Sequence, residues 1–457
     1  MTTPATAPLA RRLGAYAAEA AALPLPAPVL DAARQCLVDW LAVVVGARDS
    51  DDARVLAATA AQWRSQGPSP LFTGGTAAAG VAAWVNAGLS HVLDFDDTHI
   101  PSILHGSGPL WAALLAVGAE HGVAERRLLA AFSAGLQAGA RVGASDAGGI
   151  NLGVRLTQSG WHATPILGRL AVAAAVPGAL GLDGGQAAHT IAIAATHASG
   201  FGASSGTLAK PLHIAHAAFD GIASAQAASH GGQGAPGILD GEGGLFQILL
   251  QDRGLVVAPR DPAEGPHELL RNSCKPYAAC QLIHASLDAA RQAAAAGIAP
   301  GAVRAARAFV HPLAARIAAV AKPRTTAEGR FSLAHSIALG LHSYAAGADD
   351  FEPPRLADPR LAALASRVSV VADAGAERTS ARLELVLDDG RVHVEHVAAA
   401  FGSPERPMDW PALQAKFTAL AAPRLGDAAA GEVFALARRF GEQPGDLARL
   451  HALAVIR

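Results

Sequence analysis

Cysteine is scarce in this chain of 457 residues, where Cys36, Cys274 and Cys280 are the three present. An odd number at irregular spacing gives no disulfide framework. Cys274 and Cys280 are too far apart for a C-x-x-C pair and have no ligand cluster around them, so no zinc or iron–sulfur site is expected. Aromatic residues are also few, 5% against 51% apolar residues overall. The core must therefore be built from small aliphatic side chains, which favours closely packed helices over an aromatic-rich β-sandwich. Charge is thin at 16%, and 36 basic against 38 acidic residues leave a formal net charge of −2 with no basic block. Nucleic acid is not indicated as a partner. Residues 1–9 lack a basic stretch leading into an apolar one, and no uninterrupted apolar run reaches the roughly 18 residues of a membrane span. The expectation is a cytoplasmic protein with no membrane partner.

What is present first is helical periodicity. Val29, Leu30, Ala33, Cys36, Leu37, Trp40, Leu41 and Val44 recur at three- and four-residue spacing and make one apolar stripe. Similar stripes run through 109–122, 125–139, 160–172 and 186–197, with Gly/Pro breaks at 106–109 and 177–178. The Gly-rich stretch 230–244 reads as a loop closing a helical block that begins near residue 26. After Pro262 the character changes. Short strands are expected at 306–311 and 367–371. Leu383, Leu385 and Leu387 alternate into Asp388-Asp389-Gly390, and Val392 and Val394 alternate out of it, which predicts a β-hairpin. Helical patterning at 281–295 and 332–344 lies between these strands, and helices return at 411–420 and 428–440. The length suggests two or three domains, and the smaller α+β part reads as an insertion into the helical one.

The densest chemistry lies in residues 91–105. This segment holds Asp94, Asp96 and Asp97, His91, His99 and His105, and the hydroxyls of Thr98 and Ser102. Acids and imidazoles held close together shift one another's pKa values and supply proton donors and acceptors near neutrality. The segment reads as one wall of an acid–base active site, with helix-end charge as the plainer alternative. Asp and His also bind metals, but H-x-H or H-x-x-x-H spacing is absent, so no metal is expected. Residues 160–164 place His162 at what reads as a helix start, where a histidine is commonly capped or packed. Residues 202–206 match G-x-S-x-G around Ser204, yet that elbow needs a preceding strand and 186–197 reads as a helix. Residues 232–237 match G-x-G-x-x-G but follow a helix-like segment and contain Pro236. Lys210 has no acid for several residues on either side, so it either snorkels or faces a bound anion. Lys275 repeats that situation in the second domain. Two such lysines facing one cleft would clamp a substrate with more than one carboxylate.

Together these segments resemble the MmgE/PrpD family. Residues 91–98 look like its H-x-x-D-F-D-D-T box, 160–164 its G-[FW]-H-x-T box, and 206–213 its G-T-x-x-K-P-L-H box. Residues 275–284 are similar to its K-x-Y-x-x-C…H segment, 328–333 to its A-R-F-S box, and 404–417 to its closing P-x-x-P-M…K-F stretch. Six boxes in order cover nearly the whole chain. The fold class the resemblance implies is mainly α: a large all-helical domain (1–265 and 405–457) plus a smaller inserted α+β lid domain (266–404). It also implies a homodimer, an active site in the cleft between domains, and no organic cofactor or iron–sulfur cluster. The family's activities are 2-methylcitrate dehydration, cis-aconitate decarboxylation and iminodisuccinate epimerisation. Carried over box by box, Asp94, His105, His162, Lys210 and Lys275 are expected to be catalytic. Thr98, His99, His284 and His335 are expected to bind substrate. Three departures count against the decarboxylase. His335 stands where its pattern has a tyrosine, Cys280 sits near the place of a histidine with His284 following, and the interval from Thr98 to His105 is long.

All three reactions must stabilise a carbanion or enolate beside a carboxylate. That requires positive charge placed in advance on the carboxylate oxygens, a role for Lys210 and Lys275. An imidazole, His105 or His162, would carry the proton, with Asp94 orienting it or its neighbours. The expected function is a 2-methylcitrate dehydratase-like hydro-lyase acting on a small di- or tricarboxylate. The alternative is an iminodisuccinate epimerase-like isomerase, with a cis-aconitate decarboxylase third. From other classes come a metal-dependent hydrolase built on Asp94, Asp96, Asp97 and His99, a serine hydrolase acting through Ser204, and a binding protein without activity. Which acid is the substrate, and which histidine is the base, the residues leave open.

Overall fold

Small side chains let the helices of this protein pack backbone to backbone. A Cβ added at Gly135 would lie 2.6 Å from the carbonyl oxygen of Ala171, and one at Gly221 would lie 2.4 Å from the Val172 side chain. Neither site has room for a larger residue, so the scarcity of aromatics is part of how the core closes. The computed structural model describes residues 7–455. Of the stretch 1–9 read above for a leader, residues 1–6 lie outside the described residues.

The chain divides into two compact units. The first comprises residues up to Val92, Asp96–Asn272 and Trp410 onward, and the second comprises Leu93–Phe95 and Ser273–Asp409. The first holds α1 (Leu9–Ala20), α2 (Ala27–Ala47), α3 (Asp51–Gln62) and a small ribbon of β1 (Ser69–Pro70) with β2 (Thr76–Ala77). It continues through α4 (Ala79–Val92), α5 (Ser107–His121), α6 (Glu125–Gly143), α7 (Leu152–Gln158) and α8 (Ala163–Leu180). Then come α9 (Gly184–Ala195), α10 (Ala209–Ser229) and α11 (Leu245–Leu250). The stripe expected from Val29 to Val44 is the buried face of α2. An unexpected helix, α1, lies ahead of residue 26 and packs on α9. Asp183 caps α9 through a capping box with Gln186.

The second unit carries α12 (His284–Ala295), β3 (Val303–Val310), α13 (Pro312–Ile317), α14 (Thr326–Arg330), α15 (Leu333–Leu341), α16 (Pro353–Leu356) and α17 (Pro359–Ala365). It closes with β4 (Val368–Ala372), β5 (Ala381–Leu387) and β6 (Val392–Val397). Its strands order β4-β3-β5-β6, with β3 and β4 parallel and the other pairs antiparallel. The hairpin read from the alternating leucines is present as β5 and β6, with Leu383, Leu385 and Leu387 buried and Gly390 at φ 85° in the turn. The chain then returns to the first unit as α18 (Trp410–Leu425), α19 (Asp427–Arg438) and α20 (Asp446–Ala454). There α18 packs on α2, and Lys416 Nζ donates to Asp39 Oδ1 at 2.6 Å.

One helix differs from the sequence reading. By length and composition α8 is apolar enough to cross a membrane, and 94% of that window is buried inside the protein. Arg169 interrupts its apolar run, which is why a search for unbroken runs passes over it. The guanidinium is buried, donating from Nε to Asp220 Oδ2 at 2.9 Å and from Nη1 to the Pro165 carbonyl at 3.1 Å.

Burial also fixes an acid sensitivity. Desolvation lowers the pKa of His91, His267 and His451 from 6.5 to about 4 in each case. Between these values the unfolded chain binds the extra protons, so stability falls as pH falls through that window. Asp39, raised to about 6 chiefly by burial, works in the opposite direction. Three imidazoles outweigh one carboxyl. We expect the unfolding free energy to drop by on the order of several kcal/mol between pH 6.5 and pH 4. Denaturant titrations at the two pH values check this, and a flat profile would contradict it.

Candidate active site

The acidic segment fans out into separate networks, because Asp94 and Asp97 find partners far away in sequence while Asp96 is held within the segment. Asp96 sits 2% exposed between two imidazoles. His91 Nδ1 donates to its Oδ2 at 2.8 Å, and His105 Nδ1 lies 3.3 Å from the same oxygen. Burial by itself would raise the Asp96 pKa, but His91 and His105 outweigh it and hold the carboxyl well below the usual range. His105 Nδ1 is also 2.8 Å from the Asp97 carbonyl, which only accepts, so this nitrogen carries a hydrogen. When His105 is neutral its lone pair is therefore on Nε2. Thr98 Oγ1 lies 3.2 Å from the same Nδ1 and steadies the ring.

The long interval from Thr98 to His105 is taken up by a closed turn. His99 N donates to the Leu104 carbonyl at 2.8 Å, Leu104 N returns a bond to His99 at 3.3 Å, and Ile103 adopts φ 53°. Thr98 and His105 still meet across this turn.

His162 is the N-cap residue of α8, and its amide donates to the Gly200 carbonyl at 3.0 Å. Its ring stacks against His91, with centroids 5.8 Å apart. Burial, then Lys210 and the neighbouring imidazoles, push its pKa well below the ordinary value. A helix N-terminus disfavours a cation there as well. Lys210 lies in the first turn of α10, partly buried, and its charge also bears on His91. The first unit thus gathers two neutral imidazoles (His91 and His162), an ionised carboxylate, an oriented His105 and a lysine ammonium.

Asp94 and Lys275 meet in the second unit, where Lys275 Nζ donates to the Asp94 carbonyl at 2.7 Å and reaches Asp94 Oδ1 at 3.3 Å. Asp94 holds φ 50°, a left-handed conformation that aspartate tolerates better than most residues. Lys275 is 1% exposed. We expect Lys275→Ala to destabilise the protein by about 3–5 kcal/mol, because a buried carboxylate loses its cation. Chemical denaturation checks this, and wild-type stability would contradict it.

Three residues expected on the substrate are committed elsewhere. His99 binds Ser102 Oγ through Nδ1 at 2.7 Å and Glu268 Oε2 through Nε2 at 3.0 Å, so neither ring nitrogen is left for a ligand. His335 donates from Nε2 to the Asp350 carbonyl at 3.1 Å and packs edge-on against Phe351. His284, at the start of α12, is fully buried, with Nε2 3.1 Å from the Ala279 carbonyl and its ring edge-on to Tyr277. Both ring nitrogens of His99 and the Nε2 of His284 and of His335 are thus engaged within their own units. The hydrolase readings also lose their geometry. Asp97 turns to Ser107 and Asn272, leaving the set Asp94, Asp96, Asp97 and His99 dispersed. Ser204 sits in a 3-10 turn that follows α9 rather than a strand.

His91, Asp96 and His105 bring ligand-type atoms within 4.8 Å of one another, the spacing of a metal site. His105 Nδ1 faces a carbonyl, however, and so presents a hydrogen rather than a lone pair on that side. Proton chemistry suits these groups better. Three residues here were not among those expected for the acid–base reaction: His91, Asp96, which was named only for the metal-dependent hydrolase, and His213, whose Nδ1 lies 3.2 Å from Nδ1 of His162. The first two stood inside the acidic segment and the third inside the lysine box, so their positions were the available signal.

A helical unit that buries a histidine–aspartate cluster beside a lysine holds groups that acid–base chemistry can use. Residues 11–257 match the MmgE/PrpD N-terminal domain and residues 277–439 the MmgE/PrpD C-terminal domain, and the chain belongs to this family of enzymes. Its similar relatives include the human cis-aconitate decarboxylase, 34% identical over 170 residues, which cover 36% of this chain and 34% of that protein. The cis-aconitate decarboxylase-like protein oryM of Aspergillus oryzae is 29% identical over 197 residues, 41% of this chain and 39% of the relative. The mouse cis-aconitate decarboxylase is 33% identical over 163 residues, 35% and 32%. The chain thus matches about a third of the length of the human relative, 34%.

Proposed function

We propose that this protein is a lyase that forms a carbanion beside a carboxylate, and that its reaction is the decarboxylation of cis-aconitate. The observation that carries this is the buried cluster of His91, Asp96 and His105 with His162 stacked on His91 and Lys210 acting on both His91 and His162, taken with relatives named for that reaction. The sequence favoured dehydration partly because of the long Thr98–His105 interval. The closed turn, which keeps Thr98 Oγ1 3.2 Å from His105 Nδ1, supports decarboxylation on that point, while the departures at His335 and Cys280 stand.

In this reading the Lys210 ammonium takes a substrate carboxylate and stabilises the charge that develops when a second carboxylate leaves as CO2. The electron pair of the broken carbon–carbon bond stays on carbon. A neutral imidazole then supplies the proton from Nε2–H, and His162 fits because its Nδ1 is engaged by His213. Asp96, Thr98 and the Asp97 carbonyl hold His105 in one tautomer beside it.

A second reading, dehydration of 2-methylcitrate, is favoured by His105 itself. Its Nε2 lone pair would take the α-proton while His162 protonates the leaving hydroxyl. The purified protein separates the two. CO2 release from cis-aconitate with no alkene from 2-methylcitrate supports decarboxylation, the reverse supports dehydration, and no reaction with either removes both. Proton exchange on iminodisuccinate without net conversion would point to the epimerase instead.

A further inference from the structure

His213 contacts His162 and shares a helix with Lys210. It stands three residues after Lys210 on α10, so one helical face sets both the cation and this ring. Gly200 fixes the pair. Its carbonyl accepts the His162 amide at 3.0 Å, and its own Cα abuts the His213 ring so closely that an added Cβ would lie 3.3 Å from His213 Nδ1 and 2.6 Å from Pro165. Its φ of 121° likewise excludes most side chains. The outcome is a contact of 3.2 Å between Nδ1 of His162 and Nδ1 of His213, with ring centroids 5.5 Å apart. Two imidazole nitrogens at that distance share one hydrogen, one ring donating it and the other accepting through a lone pair.

We propose that His213 is a relay residue that passes a proton to Nδ1 of His162 while His162 delivers one from Nε2 to the substrate carbon. The relay rests on the decarboxylation reading, in which each CO2 released leaves a carbanion that consumes one proton. The step balances. The hydrogen on His162 Nε2 goes to carbon, the hydrogen on His213 Nδ1 crosses to His162 Nδ1, and water gives a proton to His213 Nε2, its hydroxide combining with the released CO2 as bicarbonate. Neither ring becomes an imidazolium, and both finish with the hydrogen on the opposite nitrogen. Exchange with water at the two Nε2 atoms after product release restores the starting tautomers.

The surroundings suit a relay of neutral rings. Facing the pair are Lys210 and His216 from α10, Arg169 from α8, and His91 and His105 from the acidic segment. Asp220, which could offset them, is engaged by Arg169. Burial and this positive company push both His162 and His213 below the ordinary histidine value. His213 is only partly buried, so water reaches part of this residue.

The test uses His213→Gln, in which the amide can still donate a hydrogen bond to His162 but cannot pass a proton through. We expect kcat on cis-aconitate to fall by about 10²-fold, the low end of general acid–base effects, with KM near wild type. We also expect kcat to recover as imidazole is added to the buffer. Wild-type kcat, or a loss that imidazole never restores, would overturn the relay. A second measurement needs no turnover. In the wild-type chain labelled with 15N-histidine, the Nδ1 resonances of His162 and His213 should show coupling through their shared hydrogen. Two imidazoles titrating independently would overturn the relay even in a variant that folds poorly. If the wild type leaves cis-aconitate unchanged, the functional reading fails and the relay with it, whereas a normal turnover with uncoupled nitrogens overturns the relay alone.

Discussion

Replacing Lys210 with alanine is expected to lower kcat/KM by about 10²–10³-fold while leaving the fold intact, by analogy with the loss of one preorganised oxyanion donor. The reasoning is electrostatic. A carbanion beside a carboxylate adds charge to a group already ionised, and the neutral His91 and His162 cannot neutralise it. Lys210 is the cation whose field reaches both rings. It is partly exposed, so its removal should cost little stability. Circular dichroism and denaturation check the fold, and steady-state kinetics check the loss. Lys210→Arg should restore only part of the rate, because a planar fork does not reproduce a compact ammonium. Wild-type kcat/KM in the alanine variant would remove Lys210 from the chemistry.

The second large effect is expected at Asp96. Asp96→Asn keeps the shape of the side chain but removes the charge that both His91 and His105 face. Asparagine also offers an N–H where His91 now finds only an acceptor, so one ring must turn or change tautomer. A buried carboxylate that orients a catalytic imidazole is worth about 10⁴ in kcat in the Ser-His-Asp triad, and we expect a loss of about 10²–10⁴ here. The loss should fall on kcat more than on KM, since Asp96 acts through the rings. A variant whose kcat stays within a factor of about two would show that ring orientation does not depend on this charge.

Local signals were readable in the sequence, and distant pairings were not. The β5–β6 hairpin was legible because alternating leucines and Asp-Asp-Gly lie within a few residues of one another. The stripe on α2 was legible for the same reason. The segment 91–105 announced an ionisable site by density alone. Which acid does what depended on partners that its spacing does not encode. Lys275 lies 181 positions from Asp94, Asn272 lies 175 from Asp97, and Glu268 lies 169 from His99. His99 therefore looked like a substrate ligand until Glu268 and Ser102 took both its nitrogens. The same applies to Arg169, whose burial makes sense only once Asp220 arrives from α10. His213 had a signal that was passed over, its three-residue spacing from Lys210 on what proves to be one helix.

The most direct test of the central claim is a proton NMR assay of the wild-type protein with cis-aconitate in D₂O, run beside Lys210→Ala. The account predicts loss of CO2 and one deuterium placed on the carbon that receives the electron pair, with this signal almost absent in the variant. Unchanged cis-aconitate with the wild type, or equal deuterium incorporation by the two proteins, would contradict it.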